Sequence, residues 1–226
     1  TYESIKGDYK GFEKDGVVEA LPYLTENTKY LMDENDALSM DFKNQRVVVL
    51  GGGDTAMDCV RTALRQGAKK VTCVYRRDFE NMPGSRKEVK HAMEEGVEFL
   101  FNHQIIEAKG DDKLLELIAE ETELFGNDGS GRRKPKVKEG TQKKIELDKL
   151  VIAFGYQASP QEFFTSKRIK VDDWGLIKLN NDKFKYQTSN EKYFAGGDMI
   201  IGSSLAVYAI AHGRDAAKEI IKYLNS

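Results

Sequence analysis

The sequence is poor in the residues that build disulfides and metal sites. Its 226 residues include only two cysteines, Cys59 and Cys73, and three histidines. No CxxC is present, and His91, His103 and His212 show no metal-ligand spacing, so neither a disulfide framework nor a metal site is predicted. Both cysteines fall within predicted secondary structure, which is typical of small core residues. This usage favours a reducing, cytoplasmic location.

Long apolar runs and an excess of positive charge are also missing. No apolar run approaches the roughly 20 residues that cross a bilayer, and the amino terminus carries no signal-peptide pattern. Lys+Arg number 35 against 37 Asp+Glu, so the net charge is -2 and no basic field points to nucleic acid. We therefore expect neither a membrane nor a nucleic-acid partner.

What the sequence does contain is a glycine fingerprint between two apolar runs. Residues 47–50 predict a strand buried on both faces, and Gly51, Gly52 and Gly53 follow at once. A helical pattern comes next, and Gly67 ends it before a second β-branched run at residues 71–75. Strand, glycine turn, helix and strand within about thirty residues is the context of a dinucleotide-binding site.

Each residue type in the fingerprint has a physical role. Gly51 allows the tight turn out of the strand, and the missing Cβ of Gly53 lets a pyrophosphate approach the backbone N–H groups at the helix start. Ala56 is small enough for the helix to pack on the strand. Asp54 is predicted to cap the helix and face away from phosphate, because its carboxylate would repel one. The predicted coenzyme-binding turn comprises Gly51, Gly52, Gly53, Asp54, Thr55 and Ala56.

Arginines replace the usual carboxylate at the end of the second strand. An NAD site commonly has an acidic residue there for the ribose 2′-hydroxyl, whereas Arg76 and Arg77 suit a 2′-phosphate. Arg86 follows closely enough to join them, although it also fits a solvent-exposed helix position. The sequence therefore predicts binding of NADPH in preference to NADH; the alternative is a glycine-rich α/β turn with solvated arginines.

Several flanking elements can also be predicted. A helix should begin near Glu19 or Ala20, with Pro22 in its first turn. Ser85 and Glu88 predict a capping box for a helix that ends before Gly96. Strands are expected at 97–101, 114–124, 143–152 and 150–154, and residues 125–142 and 157–168 read as loops; the basic residues of the first loop lack the interleaved aromatics of a nucleic-acid site.

The carboxyl-terminal segment combines a glycine turn with an apolar helical pattern. Gly197 and Asp198 lie in the predicted turn, and Ser203 or Ser204 can cap the helix that follows. We expect one face of that helix to enter a core, through Val207, Ile210, Ala211, Ala217, Ile220 and Ile221.

Two separated segments resemble one family. Residues 47–102, with VVVLGGGDTAMDCVRTALRQGAKKVTCVYRRD and NMPGSRKEV, and the closing strings AFGY and YFAGGDMIIGSSLAVYAIAHGRDAA, are similar to the small (beta) subunits of bacterial NADPH-dependent glutamate synthases. The resemblance implies an α/β, Rossmann-like flavoprotein with two dinucleotide-binding domains, the NADPH domain inserted into the FAD domain. It divides the chain into a connector (1–15) that follows an absent first half of the FAD domain, a complete NADPH domain (16–152) and a partial FAD domain (153–226).

The resemblance also implies site residues beyond the fingerprint. Residues 153–155 (Ala153, Phe154 and Gly155) would lie near the nicotinamide. In the flavin half, Gly197 and Asp198 would contact FAD, with Asp198 accepting a hydrogen bond from the ribityl chain. The amides of Ser204 and Leu205 would point a helix N-terminus at the pyrimidine edge of the flavin. The sequence departs from the family at Ile200, Ile201 and His212, where charged residues are common. The contacts with the flavin are therefore expected to differ from those of the family.

The cofactors and partners follow from the same resemblance. They are NADPH, FAD in the longer protein only, 4Fe-4S clusters outside this chain, and the large (alpha) subunit of glutamate synthase; self-association of the fragment is a further possibility. Hydride transfer needs positioning rather than an acid or base, so no catalytic side chain is predicted. Two alternatives remain: a similar oxidoreductase with another acceptor, such as ferredoxin or a pyrimidine, and a nucleotide-binding fragment without turnover of its own. We expect this chain alone to bind NADPH but not FAD, and to be inactive without the rest of the FAD domain.

Overall fold

The computed structural model describes residues 2–7, 9–34, 36–129, 131–180 and 182–226. They form two compact units, of which the larger is Ile5–Gly155 and the smaller joins Tyr2–Ser4 to Tyr156–Ser226. The larger unit extends beyond the predicted 16–152 at both ends, since residues 5–15 pack with it. The assignment of these units to an NADPH and an FAD domain stays a prediction.

The larger unit is built on a five-stranded parallel sheet. The strand that precedes the glycine turn is its central strand, and four of its residues are at most 2 % exposed, so the predicted burial on both faces is confirmed. In order across the sheet, the strands are β2 (Val17–Glu19), β10 (Lys149–Ile152), β3 (Arg46–Leu50), β4 (Lys70–Tyr75) and β5 (Glu98–Phe101).

Three helices cover one face of this sheet. They are α1 (Ala20–Leu31), α2 (Asp54–Arg65) and α3 (Arg86–Glu94). Helix α2 buries Ala56, Val60 and Ala63 completely, as its apolar spacing predicts. Helix α1 begins at Ala20, also as predicted, and anchors itself through Tyr23, whose ring stacks on that of Phe42 at 4.4 Å between centroids.

An antiparallel sheet covers the opposite face. It contains β6 (His103–Lys109), β7 (Glu116–Asn127), β8 (Arg133–Val137) and β9 (Lys143–Glu146). Two predictions are wrong here. Residues 125–142 are not a loop, because β7 and β8 form a hairpin across most of them, and residues 143–152 are two strands in different sheets.

The smaller unit has little regular structure. Strand β1 (Tyr2–Ser4) pairs antiparallel with β11 (Tyr156–Ala158), and the helices are α4 (Phe163–Ser166), α5 (Asp198–Ile201) and α6 (Ala206–Leu224). Strand β11 and helix α4 therefore occupy a segment that we predicted to be a loop. The core of this unit is small and contains Phe164, Ile169, Ile177 and Ala195.

Helix α6 does not bury the face that its sequence predicts. Ile210 is 73 % exposed and Val207 is 61 % exposed, whereas Ala216 is the residue that the helix buries. The helix begins after Leu205 rather than at Ser203 or Ser204, and no side chain caps it. In the part of the chain that the structure describes, neither α6 nor any other helix is long and apolar enough to span a membrane.

Candidate functional site

The glycine turn between β3 and α2 needs its first two glycines for packing. Gly51 has a φ of 150°, and a Cβ there would lie 2.3 Å from the carbonyl oxygen of Ala153. A Cβ on Gly52 would lie 2.6 Å from the ring of Tyr75. Gly53, the N-cap of α2, is different, because a Cβ there would meet only Pro83 at 4.0 Å. The space in front of the helix start is therefore open.

A cavity of about 420 Å³ lies in the larger unit at the carboxyl ends of its central parallel strands. This is where ligands bind in open α/β sheets. None of its described lining residues is an Asp or Glu. Nine of the predicted site residues line it together: Gly51, Gly52, Gly53, Thr55, Arg76, Arg77, Ala153, Phe154 and Gly155.

The Ala56 N–H at the start of α2 donates to the carbonyl of Gly53 at 3.0 Å, whereas the first N–H groups of a helix, here those of Asp54 and Thr55, have no acceptor within it. Together with the positive end of the helix dipole, they make the start of α2 an anion-binding position. Because Gly53 presents no side chain and Thr55 lines the cavity, the start of α2 opens onto this cavity. The donors and the open space fit the coenzyme that the sequence predicts.

Residues 153–155 form one wall of the cavity. Ala153 continues the β10 register, with its N–H donating to the Leu50 carbonyl at 2.8 Å. The Phe154 ring lies 6.0 Å from that of Tyr9 between centroids. Tyr9 and Gly7 also line the cavity, although we predicted residues 1–15 to be a connector. The sequence of this segment shows turn signals, which do not identify cavity residues.

The three predicted phosphate-binding arginines have different surroundings. Arg76 lies at the cavity with its side chain exposed, and its backbone carbonyl accepts a hydrogen bond from the Thr122 hydroxyl at 2.9 Å. Arg77 is 4 % exposed, and its guanidinium donates to the Asp128 carboxylate at 2.8 Å. Arg86 does not line the cavity; it donates to the carbonyl of Glu80 at 2.8 Å and lies over the Phe79 ring.

Asp54 and Ala56 belong to the turn without lining the cavity. The Asp54 carboxylate accepts a hydrogen bond from the backbone N–H of Ser85 at 2.7 Å, so it faces the start of α3. The predicted capping box of α3 is wrong, because Ser85 makes no side-chain cap and the Glu88 carboxylate pairs with Arg61 of α2. The Ser85 N–H and the Glu88 carboxylate therefore bond to residues of α2, Asp54 and Arg61, instead of to each other.

The flavin-side candidates lie in the smaller unit. Gly197, at a φ of 66°, is the N-cap of α5, and its N–H donates to Nδ1 of His212 at 3.0 Å. The carbonyl of Asp198 accepts from the Tyr2 hydroxyl at 2.9 Å. Burial and, to a smaller extent, the Asp198 charge raise the pKa of Tyr2. Ser204 and Leu205 are exposed at the start of α6.

The two cysteines are core residues, as the sequence predicts. Both are completely buried, and the Cys73 thiol donates to the carbonyl of Gly51 at 3.3 Å. Burial raises the pKa of Cys73 to about 12 and also raises that of Cys59. Both thiols therefore stay protonated near neutral pH and are poor nucleophiles. Within the described ranges, no three His, Cys, Asp or Glu residues cluster as metal ligands.

The chain matches a known family over most of its length. Residues 8–213 match the family described as pyridine nucleotide-disulphide oxidoreductase. The glutamate synthase [NADPH] small chain of Halomonas elongata is 47% identical over 230 residues, which cover 100% of this chain and 48% of the relative. The protein of the same description from Escherichia coli K12 is also 47% identical, over 99% of this chain and 49% of its own length. The chain thus spans about half the length of these relatives.

Solved structures show the same fold at lower identity. Thioredoxin reductase of Lactococcus lactis has a TM-score of 0.71 at 22% identity, covering 98% of this chain and 63% of that one. FprA from Mycobacterium tuberculosis in complex with NADPH has a TM-score of 0.73 at 18% identity, covering 96% and 61%. These likenesses confirm a Rossmann-like α/β fold.

Proposed function

Because the chain belongs to the pyridine nucleotide-disulphide oxidoreductase family, we propose that it is the NADPH-binding, electron-input part of a flavin-dependent oxidoreductase. One observation carries this proposal: the cavity at the glycine turn combines an open helix start with three arginines and, among its described residues, no carboxylate. That combination suits a ligand with a diphosphate and a further phosphate.

In this proposal the chain binds and orients the coenzyme. The backbone at Gly53 and Thr55 holds the diphosphate, and the exposed guanidinium of Arg76 holds the 2′-phosphate. The wall at Ala153 and Phe154 limits where the nicotinamide can lie. A flavin would supply the hydride-accepting chemistry when it is bound. The protein's contribution is then to hold the two reactants in register and to keep water away.

The flavin half of the proposal rests on the smaller unit. The start of α6 has no side-chain cap, so its first N–H groups are available to an electron-rich ring edge. Gly197 and Asp198 form a turn that could meet a polyol chain. In the described residues, however, this unit pairs only two strands in a sheet. We therefore propose that the chain alone does not hold FAD tightly.

The finer proposal is that electrons pass onward for glutamate synthesis from glutamine and 2-oxoglutarate. Its support is the name shared by the Halomonas elongata and Escherichia coli relatives, glutamate synthase [NADPH] small chain. In this scheme, 4Fe-4S clusters outside the chain and a large subunit receive the electrons. A nucleotide-binding unit without turnover of its own is the second candidate, favoured by the small sheet of the flavin half.

Titration calorimetry with NADPH, NADH and FAD tests the proposal. We expect saturable binding of NADPH, binding of NADH at least about tenfold weaker, and no saturable binding of FAD. Arg76→Ala should reduce that preference, whereas Lys87→Ala, which removes an exposed charge from α3, should retain it. Failure of the unaltered chain to bind NADPH would overturn the proposal.

A further inference from the structure

The hairpin of β7 and β8 is fastened to the rim of the coenzyme cavity. Arg77, at the end of β4, sends its guanidinium into the turn of this hairpin, where Nε donates to the carbonyl of Arg133 at 2.6 Å. The same guanidinium pairs with the Asp128 carboxylate at 2.8 Å. A further bond joins the Arg133 N–H to the Asn81 side chain at 3.0 Å. Asp128 and Arg133, which flank the turn, are thus both bonded to the segment that follows β4.

Asp128 also sets the backbone from which Arg132 projects. One carboxylate oxygen accepts the Arg132 N–H at 3.1 Å while the other accepts from Arg77. The Asp128 N–H in turn donates to the Arg132 carbonyl at 2.6 Å. Arg132 lines the cavity, as does Arg76. The Arg132 Nε lies 4.0 Å from the Asp128 carboxylate.

Arg77 itself is poorly placed to serve a phosphate. Its side chain is 5 % exposed, and its charge is already paired with a carboxylate. Breaking this pair would leave a buried charge uncompensated, which is strongly unfavourable. Its bonds to the Arg133 carbonyl and the Asp128 carboxylate instead connect the hairpin to the segment after β4.

We propose that Arg132 is a ligand of the coenzyme's 2′-phosphate beside Arg76, and that the Arg77–Asp128 pair is the device that positions it. A phosphomonoester carries close to two negative charges near neutral pH, so one arginine leaves it partly uncompensated. A second guanidinium adds charge-assisted, directional hydrogen bonds. This inference rests on the proposed function and assigns coenzyme selectivity to a hairpin outside the glycine fingerprint.

The other basic residues of the hairpin have no such placement. Arg133 directs its guanidinium to the carbonyl of Leu124 within the hairpin. Lys134 and Lys136 are exposed on β8, and neither lines the cavity. Lys136→Ala is therefore a matched control that removes one positive charge from the same hairpin.

Binding of 2′,5′-ADP and 5′-AMP, which differ only in the 2′-phosphate, tests this role on the 226-residue chain. We expect Arg132→Ala to weaken 2′,5′-ADP by about tenfold, the cost of one charged hydrogen bond, with less than about twofold change for 5′-AMP. Arg132→Lys should recover part of the loss, because it keeps the charge without the planar fork. Lys136→Ala should bind both ligands as the unaltered chain does.

The outcomes separate this inference from the proposed function. If the unaltered chain prefers 2′,5′-ADP and Arg132→Ala keeps that preference in full, the role of Arg132 is refuted while the coenzyme site stands. Equal loss with Lys136→Ala would also refute it, since general charge would then explain the effect. If the unaltered chain does not discriminate between the two ligands, the 2′-phosphate site itself is refuted.

Discussion

Gly51 and Gly53 lie two positions apart in one turn, yet their surroundings impose different requirements. Gly51 sits against the backbone carbonyl of Ala153, so its missing side chain is a packing requirement. Gly53 faces open space at the cavity, so its missing side chain matters for what approaches from outside. Stability should therefore depend on the first residue, and coenzyme binding on the second.

Gly51→Ala should destabilise the protein by about 2–4 kcal/mol, because it adds a backbone clash to an unfavourable φ. Gly53→Ala should cost less than about 1 kcal/mol, a typical change at an N-cap, but should weaken NADPH binding. Urea denaturation and calorimetry on both variants measure the two effects. Equal destabilisation by the two substitutions would contradict this division.

Asp148 should give the stability of the larger unit a dependence on acid pH. Hydrogen bonds from the Arg46 side chain hold the pKa of Asp148 below its usual 3.8. A carboxylate whose pKa is lower in the folded than in the unfolded state stabilises fully above the unfolded value. That contribution is lost as the pH falls through the lower, folded value.

Asp148→Asn should accordingly lower the melting temperature at pH 7 by more than at pH 3. The reason is that acid already removes part of the carboxylate's contribution from the unaltered protein. Thermal denaturation followed by circular dichroism at both pH values measures the difference. A melting-temperature loss that is the same at pH 3 as at pH 7 would show that the ion pair with Arg46 makes no net contribution.

Whether a single residue could be predicted from the sequence depends on whether its partners are local or distant in the chain. The turn and its glycines are local, so their pattern predicts them well. Arg76 and Arg77 look equivalent in the sequence, but Asp128, some fifty residues further on, pairs with Arg77. Arg132 could not be identified at all, because its place at the cavity depends on how the hairpin folds back.

At the scale of elements, the hairpin of β7 and β8 was the main error. Its glycines and charges are typical of a solvated loop, and β8 alternates charged residues with only a few apolar ones. Pairing with β7 and the Arg77–Asp128 contact supply the order that local propensity does not. Helix α6 shows the opposite error, since an apolar helical period reports a face that can be buried, not one that is.

Asp128→Asn should loosen the hairpin. The substitution leaves the Arg77 charge without its partner, and we expect a loss of about 2 kcal/mol, less than for a fully buried pair because Asp128 is partly exposed. Amide hydrogen exchange should accelerate at residues 131–133. Glu123→Gln, at an exposed carboxylate of β7, is the control and should change neither quantity. If amide hydrogen exchange at these residues were unchanged in the Asp128 variant, the Arg77–Asp128 pair would not stabilise the hairpin.

At the scale of the whole molecule, the two units differ in how much of their apolar surface is covered. The larger unit covers both faces of its parallel sheet, whereas helix α6 of the smaller unit leaves Val207, Ile210, Ile221 and Leu224 exposed at helical spacing. Exposed apolar patches of this kind promote association. The sequence pattern predicts the parallel strands and the helices of the larger unit, but neither the antiparallel sheet on its second face nor what covers α6.

We expect this chain to self-associate with rising concentration through α6. Ile210→Lys should shift it toward the monomer in sedimentation velocity, because a charge opposes burial of the patch. Leu21→Lys places the same change on an exposed apolar residue of α1 and should leave association unaltered. A monomer at all concentrations, or equal effects of the two substitutions, would contradict the assignment to α6.

The position of β10 in the sheet affects how the larger unit folds during synthesis. This strand lies between β2 and β3, although it follows β2 by some 130 residues and supplies the chain that closes over Gly51. During synthesis, the two flanking strands have emerged from the ribosome long before their shared neighbour. The pairing of β2 and β3 with β10, and the cavity wall at residues 153–155, can therefore form only after β10 has emerged. Such long-range pairing is slow and leaves folding intermediates exposed to chaperones.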